Sequence, residues 1–247
     1  MAEHLVQISI NIPRVIRFYK RFWGHHSPGL SDAGMLIKTA LTETFVGEAA
    51  IRPWRQQGDG DEFGTVTILG VSKYDAEQLK DMVLDTLPEL ANCYDTNSFF
   101  SKPLRDFEVG KRYQIQSLVS ARKMTSFVEG KHVERRVERD LYSIEKEFCA
   151  AKGKTLRSRE EVYTDFFQEF FKDVVEFESC EVKAVKSDRT VRKDESGLPN
   201  IGFSSNSAEF EAIVKIKDAE SFRNLLINGI GRAKAYGHGM VLVRAAA

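Results

Sequence analysis

Residues 208–243, AEFEAIVKIKDAESFRNLLINGIGRAKAYGHGMVLV, combine a strand, a helix, a glycine-rich loop and a second strand in immediate succession. A strand is predicted over residues 208–217, because apolar and polar side chains alternate there with a period of two. Asp218 is a good N-cap for the short amphipathic helix that follows, and Gly229 is a good residue to end it. The closing strand is predicted over 240–243. The segment therefore predicts a mixed α+β architecture.

A strand-and-helix succession of this kind is predicted twice along the chain. The first unit is residues 1–102, and its elements are strand 5–12, helix 14–23, a helix after Asp32, strand 65–71, helix 75–84 and a strand near 98–100. The second unit is residues 103–247, and its elements are strand 111–121, helix 134–148, a helix capped by Ser158 and Glu161, strand 177–184, and the segment quoted above. We therefore expect an α+β fold with two tandem ferredoxin-like (RRM-like) domains. The two central helices predict a helical hairpin insertion in the second domain, at about 133–175.

Composition excludes several classes of protein. The 247 residues include 36 Lys+Arg and 36 Asp+Glu, so the net charge is zero, and 42% are hydrophobic, which excludes a disordered chain. Cys93, Cys149 and Cys180 are far apart and form no CxxC pair, which argues against a disulfide framework or a zinc knuckle. Without a secretory signal or an apolar run of about 18 residues, the sequence predicts a cytoplasmic protein with no membrane partner. Taken alone, zero net charge argues weakly against nucleic-acid binding.

The loop at 229–239 has the composition of a phosphate-binding loop. Glycines permit positive φ and close approach of the backbone to a ligand, and interleaved cations suit an anion. A helix C-cap with an ordinary turn needs Gly229 alone. The loop is not a Walker motif, because Lys-Ser/Thr is absent and the loop follows a helix. The predicted ligand-binding residues in the loop are Gly229, Gly231, Arg232, Lys234, Gly237 and Gly239.

This loop, the helix 219–226 and the strand 210–216 resemble the C-terminal end of the CRISPR-associated endoribonucleases that process precursor CRISPR RNA. The similarity is closest to the type I-E branch. Segments 101–104 (SKPL) and 109–115 (VGKRYQI) resemble that branch's entry into its second domain.

The resemblance implies two ferredoxin-like domains side by side that bind the stem-loop of a CRISPR repeat RNA and cut at its 3′ base without metal or cofactor. The ribose 2′-OH attacks the adjacent phosphorus, which leaves a 2′,3′-cyclic phosphate and a 5′-OH. The product is often retained in a complex with other CRISPR subunits. Such a reaction needs a base, an acid and cations around the phosphorus.

The resemblance places a catalytic histidine of type I-E relatives at Ile37, which cannot transfer protons. His25 and His26 lie in the Gly/Pro-flanked loop just before this helix and are one replacement, since imidazole titrates near neutrality. The competing interpretation of this pair is a solvated loop. Lys38 is a second candidate, for stabilising charge.

Arginine is the third candidate for the missing catalytic group. Arg17 and Arg21 are four residues apart on the first predicted helix. Type IV relatives, some of which carry a helical finger, make an arginine-based site at Arg21 a reasonable hypothesis. The competing interpretation is a solvated helix face.

The charge is unevenly distributed, which identifies candidate RNA-binding segments. Residues 111–160 contain 13 Lys+Arg and 7 Asp+Glu, whereas 161–180 contain one Lys and six acidic residues. Basic loops along the phosphates are the expected contacts to an RNA stem. The competing interpretation for some of these residues is mutual pairing on a helix surface, among Glu134, Glu138, Arg135 and Arg139. The predicted contacts outside the glycine loop are Arg122, Lys123, Arg135, Arg136 and Arg139, then Lys152, Lys154 and Arg157 at the hairpin tip, and Arg189, Arg192 and Lys193 in a basic loop at 183–193.

Three functions are compatible with these features. The first is a metal-independent endoribonuclease that matures CRISPR RNA, with no metal site because no His/Cys/Asp/Glu cluster has ligand spacing. The second is a non-catalytic RNA-binding subunit of a CRISPR effector complex, which Ile37 favours. The third is an unrelated ferredoxin-like enzyme whose glycine loop holds a nucleotide phosphate. A single-strand RRM is disfavoured, because the strands carry no RNP1 aromatic motif.

Overall fold

The computed structural model describes residues 3–23, 33–128, 131–193 and 199–246. Its N-terminal half contains one four-stranded antiparallel sheet with strand order β2-β3-β1-β4. The elements in chain order are β1 His4–Asn11, α1 Ile12–Trp23, α2 Ala33–Thr44, β2 Trp54–Gln57, β3 Thr65–Ser72, α3 Ala76–Leu84, α4 Pro88–Ala91 and β4 Tyr94–Pro103, with a 3-10 turn at Gly47–Ala49.

The C-terminal half contains a second four-stranded sheet with strand order β10-β5-β9-β8 and a separate two-stranded ribbon, β6-β7. Its elements are β5 Arg112–Ser120, β6 Arg122–Val128, β7 Lys131–Asp140, α5 Leu141–Lys152, α6 Arg159–Glu169, β8 Val175–Lys193, β9 Pro199–Ile216, α7 Ala219–Asn228 and β10 Val241–Ala245, with a 3-10 turn at Lys234–Tyr236. With the ribbon set aside, both sheets place their first and third strands at the centre. This is the order of a ferredoxin-like domain, and the predicted fold class is confirmed.

Two of the helix caps predicted from the sequence are present, and Asp32 lies outside the described residues. The Asp218 side chain accepts from the backbone N–H of Ser221 at the start of α7. Asp75, which was not predicted as a cap, forms a capping box with Gln78 at the start of α3. Ser158 and Glu161 form the predicted capping box of α6. Each cap satisfies N–H groups that have no partner within the helix, so it fixes where the helix begins.

The core of the second domain depends on α6. The Phe167 ring of α6 stacks on Phe210 of β9 with centroids 4.3 Å apart, and Phe171 packs edge-on against Phe177 of β8. Burial of such rings supplies much of the energy of a small core. Helix α6 therefore covers the sheet, while α5 and the ribbon are additions beside it.

The helix predicted over 134–148 is wrong in its first half. Residues 134–140 belong to strand β7, which pairs antiparallel with β6, and α5 begins only at Leu141. The predicted helix-surface pairs are therefore absent, and Glu138 instead contacts Arg122 across the ribbon at 3.3 Å. The apolar spacing that predicted a helix was genuine only beyond Asp140, which is the N-cap of α5.

The basic loop predicted at 183–193 is also wrong, because β8 continues through Lys193 and pairs with β9 along its length. Strand β2 and helix α4 were not predicted, and β4 is longer than the strand expected near 98–100. In the described part of the chain, every helix is too short or too polar to cross a membrane.

The two halves are joined by direct contacts. Glu3 accepts from the Arg223 side chain at 2.9 Å, and its carbonyl oxygen accepts from the backbone N–H of Leu104 at 2.8 Å. Arg55 of β2 also pairs with Glu209 of β9. In addition, the 3-10 turn at Lys234–Tyr236 packs against α2 and β2 of the N-terminal half.

Candidate nucleic-acid interface

The glycine loop, residues 229–239, is closed on itself and attached to the second sheet. The Ile230 N–H donates to the Gly239 carbonyl oxygen at 2.8 Å, and the Gly239 N–H donates to the Leu118 carbonyl oxygen at 2.7 Å. The 3-10 turn at Lys234–Tyr236 projects between these anchors. The loop is therefore a fixed part of the fold that presents its middle residues to the N-terminal half.

Close contacts with protein atoms explain the glycines of the loop. A Cβ on Gly239 would lie 2.0 Å from the Ile230 carbonyl oxygen. A Cβ on Gly237 would lie 2.8 Å from the Trp54 ring, and one on Gly229 would lie 2.9 Å from the Pro53 side chain. At these three glycines the close approach expected from the sequence is thus to the protein itself. Contact between the glycines and RNA stays a prediction.

Lys38 meets the loop from the other domain. Its Nζ donates to the Tyr236 hydroxyl at 3.2 Å and lies 4.7 Å from the centroid of the same ring. Lys38 is half-buried on α2, where it borders a narrow crevice with Arg52 and Ala235. An ammonium group and a phenol therefore meet where the two domains touch.

This pair has the chemistry to hold a phosphate. The ammonium group has three N–H donors, and the contact with Tyr236 uses one of them. Because the Tyr236 oxygen accepts from Lys38, its own O–H remains a donor that can rotate to an anionic oxygen. Tyr236 was not predicted from the sequence as a site residue, although it lies in the glycine loop. The signal that could have identified it is an aromatic residue between the glycines of that loop.

Ile37, next to Lys38, faces the opposite way. Its side chain is 0% exposed and packs in the N-terminal core with Ile8 and Ile68. The position to which the resemblance assigned a histidine is therefore a core position in this protein.

Of the other predicted catalytic residues, the structure describes Arg21. It lies on α1, where its Nη1 is 3.0 Å from a Glu89 carboxylate oxygen of α4. His25 and His26 lie outside the described residues. Among the described residues, no group of three or more His, Cys, Asp or Glu side chains is arranged to hold a metal ion.

Asp140 anchors the base of the ribbon. Its carboxylate accepts from the Ser143 N–H at 3.0 Å, the Tyr163 hydroxyl at 2.6 Å and the Asn206 side-chain amide at 3.2 Å. Burial, followed by the nearby carboxylate, raises the pKa of Tyr163, so the phenol stays protonated and keeps donating. The ribbon is thereby fixed to α6 and to β9.

Several of the arginines predicted to bind RNA contact carboxylates. Glu138 holds both Arg122, at 3.3 Å, and Arg232 of the glycine loop, at 2.9 Å. Arg122 is buried, whereas half of the Arg232 side chain is exposed. The remaining pairs are Arg139 with Glu147, and Arg157 with Glu145 and Asp165.

Other predicted RNA contacts lie on the surface. Lys154 lies over the Phe148 ring at 5.6 Å. The side chains of Arg135, Arg189, Arg192 and Lys193 are not described, although the backbone of each is in β7 or β8. The exposed cations are Lys123, Arg136, Lys152 and Lys154, and half-buried Lys234 lies in the loop. These cations are placed on the ribbon, at the α5–α6 turn and on the glycine loop.

The family model described as "CRISPR associated protein" matches residues 38–245, which is most of the chain. The chain belongs to this family of CRISPR-associated proteins. No curated protein sequence matches it.

Solved structures with the same fold include the endoribonuclease Cse3 bound to a 19-nucleotide RNA, at 15% identity and a TM-score of 0.63 over 100% of both chains. Another is Cas6e from Escherichia coli K-12, at 13% identity and a TM-score of 0.58 over 98% of this chain and 100% of that one. A subunit of a CRISPR RNA-guided surveillance complex matches at 12% identity and a TM-score of 0.58, over 98% and 100%. At these identities the likeness establishes a shared fold across the whole chain of this CRISPR-associated protein.

Proposed function

We propose that this CRISPR-associated protein is an endoribonuclease that binds the stem-loop of a CRISPR repeat RNA and cuts it without metal. The observation that carries the proposal is the contact between Lys38 and Tyr236 beside the glycine loop. Membership of the family and a fold shared with an RNA-bound Cse3 support it. The nucleophile in this reaction belongs to the RNA, so a base, an acid and positive charge suffice.

In the proposed reaction the ribose 2′-oxygen forms a bond to phosphorus while the bond between phosphorus and the 5′-oxygen breaks. A base takes the 2′ proton, and the 5′-oxygen receives a proton as it leaves. Lys38 and the Tyr236 hydroxyl donate to the non-bridging oxygens, where negative charge increases in the transition state. The base is one of the predicted histidines, His25 or His26.

The RNA stem is proposed to lie across the exposed cations of the ribbon and of the α5–α6 turn. Lys123 and Arg136 are exposed on the two strands of the ribbon, and Lys152 and Lys154 are exposed at the turn. Cations of this kind contact phosphates and contribute salt-dependent affinity. Retention of the product within a complex of CRISPR subunits is part of the proposal, because a protein of the same fold is found in such a complex.

A second candidate function is RNA binding without cleavage. It is favoured by the buried Ile37 at the position assigned to a histidine. The third possibility, a nucleotide-binding enzyme, loses its main support because Gly229, Gly237 and Gly239 pack closely against protein atoms.

Incubation of the protein with its labelled repeat hairpin in EDTA tests the proposal. We expect cleavage to products with a 2′,3′-cyclic phosphate and a 5′-OH, and no cleavage of the same hairpin with 2′-deoxyribose at the scissile nucleotide. Tight binding without cleavage would favour the second function. Cleavage that requires added Mg²⁺ would contradict the proposed chemistry.

A further inference from the structure

Helices α1 and α4 enclose an open groove that the proposed reaction does not use. Its volume is about 440 Å3, which is within the range of about 300–1,000 Å3 typical of small-ligand sites. The α1–α4 groove, as we name it, is lined by Arg14, Arg17, Phe18, Arg21, Glu89 and Asn92.

The groove is positively charged because of the spacing on α1. Arg14, Arg17 and Arg21 are three and four residues apart, so they lie on one helix face, and all three are exposed. Among the lining residues that the structure describes, Glu89 is the only one with a carboxylate, so positive charge is in excess there.

The arginines keep donors available for an anionic ligand. Arg14 uses Nη1 to donate to the Asn92 carbonyl oxygen at 2.8 Å, and Arg21 places Nη1 3.0 Å from Glu89. A guanidinium has five N–H donors, so each of these contacts leaves others unused. Arg17 makes no ion pair with any residue that the structure describes. The helix thus holds three guanidinium groups in place along one groove.

Aromatic rings lie beside these cations. The Phe18 and Phe22 rings have centroids 4.8 Å apart, and the Arg21 guanidinium lies 5.5 Å from the Phe22 centroid. Phe22 is 45% exposed, so its ring is accessible to a ligand that contacts Arg21. A row of cations next to an exposed ring is the chemistry that binds single-stranded nucleic acid, through phosphates and base stacking.

We infer that the α1–α4 groove binds single-stranded RNA that flanks the repeat hairpin, and this inference rests on the proposed function. Helix α2 carries Lys38 and packs against both α1 and the 3-10 turn at Lys234–Tyr236, while the described lining of the groove includes neither Lys38 nor Tyr236. The groove is therefore a separate site for the strand that continues beyond the stem. It contributes affinity for long precursor RNA and takes no part in bond breakage.

Binding measurements with three RNAs test the inference. They are a blunt repeat hairpin, the same hairpin with a single-stranded extension of about ten nucleotides, and oligouridine of that length, all with 2′-deoxyribose at any scissile position. The variants are the double substitution Arg14→Gln, Arg17→Gln, the charge-neutralising substitution Glu89→Gln, and the control Lys20→Gln. The control changes an exposed cation of α1 outside the described groove lining.

We expect the extension to tighten binding of the wild type, and the double variant to lose that gain while its affinity for the blunt hairpin is unchanged. The slope of log affinity against log salt should fall by about 1.4, since each single-strand phosphate contact contributes about 0.7. Glu89→Gln should bind the extended hairpin more tightly than wild type, and Lys20→Gln should behave as wild type.

The inference is overturned if the extension adds no affinity in the wild type, or if Lys20→Gln loses as much as the double variant. If the wild type does not bind the blunt hairpin, the proposed function fails. Binding of oligouridine then still tests whether the groove binds single-stranded RNA, because the wild type should bind it and the double variant should not. Circular dichroism confirms that each variant is folded.

Discussion

Lys38 and Tyr236 come from different domains, so their contact exists only when both domains fold and meet. The 3.2 Å hydrogen bond fixes the ammonium group relative to the phenol before any RNA arrives. Donors placed in advance are the most effective way to stabilise charge that develops in a transition state. This is why we assign the pair, and not an exposed basic residue, to the reacting phosphate.

A substitution at Ile37 tests whether the position that the resemblance assigns to a catalytic histidine takes part in cleavage. Ile37→His should lower the free energy of unfolding by about 2–4 kcal/mol, because it puts a polar ring into a closed core, and it should not raise the cleavage rate. Urea unfolding and a cleavage assay measure the two effects. Ile37→Val is the matched control and should cost about 1 kcal/mol. Faster cleavage by Ile37→His would show that position 37 faces the RNA.

Arg122 and Arg232 share Glu138 but differ in burial, so their substitutions should separate stability from RNA binding. Arg122→Ala leaves Glu138 without its buried partner and should cost about 3 kcal/mol of stability. Arg232 is 48% exposed, so Arg232→Ala should cost less than about 1 kcal/mol and reduce the salt slope of hairpin binding by about 1. Urea unfolding and binding titrations test both. Equal effects of the two variants on stability would contradict this division.

Only part of the candidate site was predictable from residue types. Lys38 was identified through its position next to Ile37, but its partner Tyr236 was missed because nothing in sequence spacing relates residues 38 and 236. The neutralisation of Arg122 and Arg232 by Glu138 was missed for the same reason. Contacts between distant segments depend on tertiary packing, which local patterns do not contain.

At the scale of elements, the glycine loop depends on tight packing more than on flexibility. A Cβ at Gly239 would overlap the carbonyl oxygen of Ile230, a residue whose own N–H donates to the Gly239 carbonyl oxygen. Gly110 has a similar positive φ of 82°, but a Cβ there would meet nothing within 4 Å. An alanine at Gly110 would therefore carry only the cost of the positive φ, whereas an alanine at Gly239 would carry that cost and the cost of a steric clash.

We expect Gly239→Ala to lower the free energy of unfolding by at least about 3 kcal/mol, and the matched control Gly110→Ala to lower it by about 1–2 kcal/mol, the cost of a positive φ alone. Denaturant unfolding measures both. Equal costs at the two positions would show that the loop tolerates the extra atom and is not closely packed.

Most of the longer helices and strands were predicted correctly, because the periodicity of their buried side chains is visible in the sequence. Strand β7 was mistaken for helix because its described strand partner is β6 and it belongs to neither four-stranded sheet. The described side chains of β7 are exposed or half-buried and show no alternation of apolar residues, so the apolar spacing of α5 seemed to extend upstream. The signal that separates them is Asp140, the N-cap.

At the scale of the whole molecule, the tandem arrangement of two ferredoxin-like domains was predictable because the same order of elements recurs. The neutral net charge, in contrast, was a poor guide to RNA binding. The net charge counts arginines that are already paired with carboxylates, namely Arg122, Arg139, Arg157 and Arg232. It also hides the exposed cations of the ribbon and the α5–α6 turn, and the basic α1–α4 groove. The local excess of cations is what an RNA meets.

Buried acidic groups predict how the stability of the molecule depends on pH. Burial raises the pKa of Cys93 and of Cys180 to about 11, and burial raises that of Tyr19 to about 12. Above about pH 9 the unfolded chain loses thiol protons that the folded protein keeps, so stability is full below that pH and falls as the pH rises toward 11.

Urea unfolding from about pH 8 to about pH 11 measures this dependence. Cys93→Val removes one titrating group, so its stability should fall less steeply with pH, by about one proton equivalent. Stability that is constant or rises over this range in the wild type would contradict the assignment.

The most direct test of the central claim is the single-turnover rate of repeat-hairpin cleavage in EDTA by wild type, Tyr236→Phe and Lys38→Ala. Each donor of this kind contributes about 10²–10³-fold to the rate, so both variants should be slower by at least about 10²-fold, with hairpin affinity nearly unchanged. Lys20→Gln should cleave at the wild-type rate. If Tyr236→Phe and Lys38→Ala both cleave as fast as wild type, the reaction takes place elsewhere and the assignment of the site is wrong.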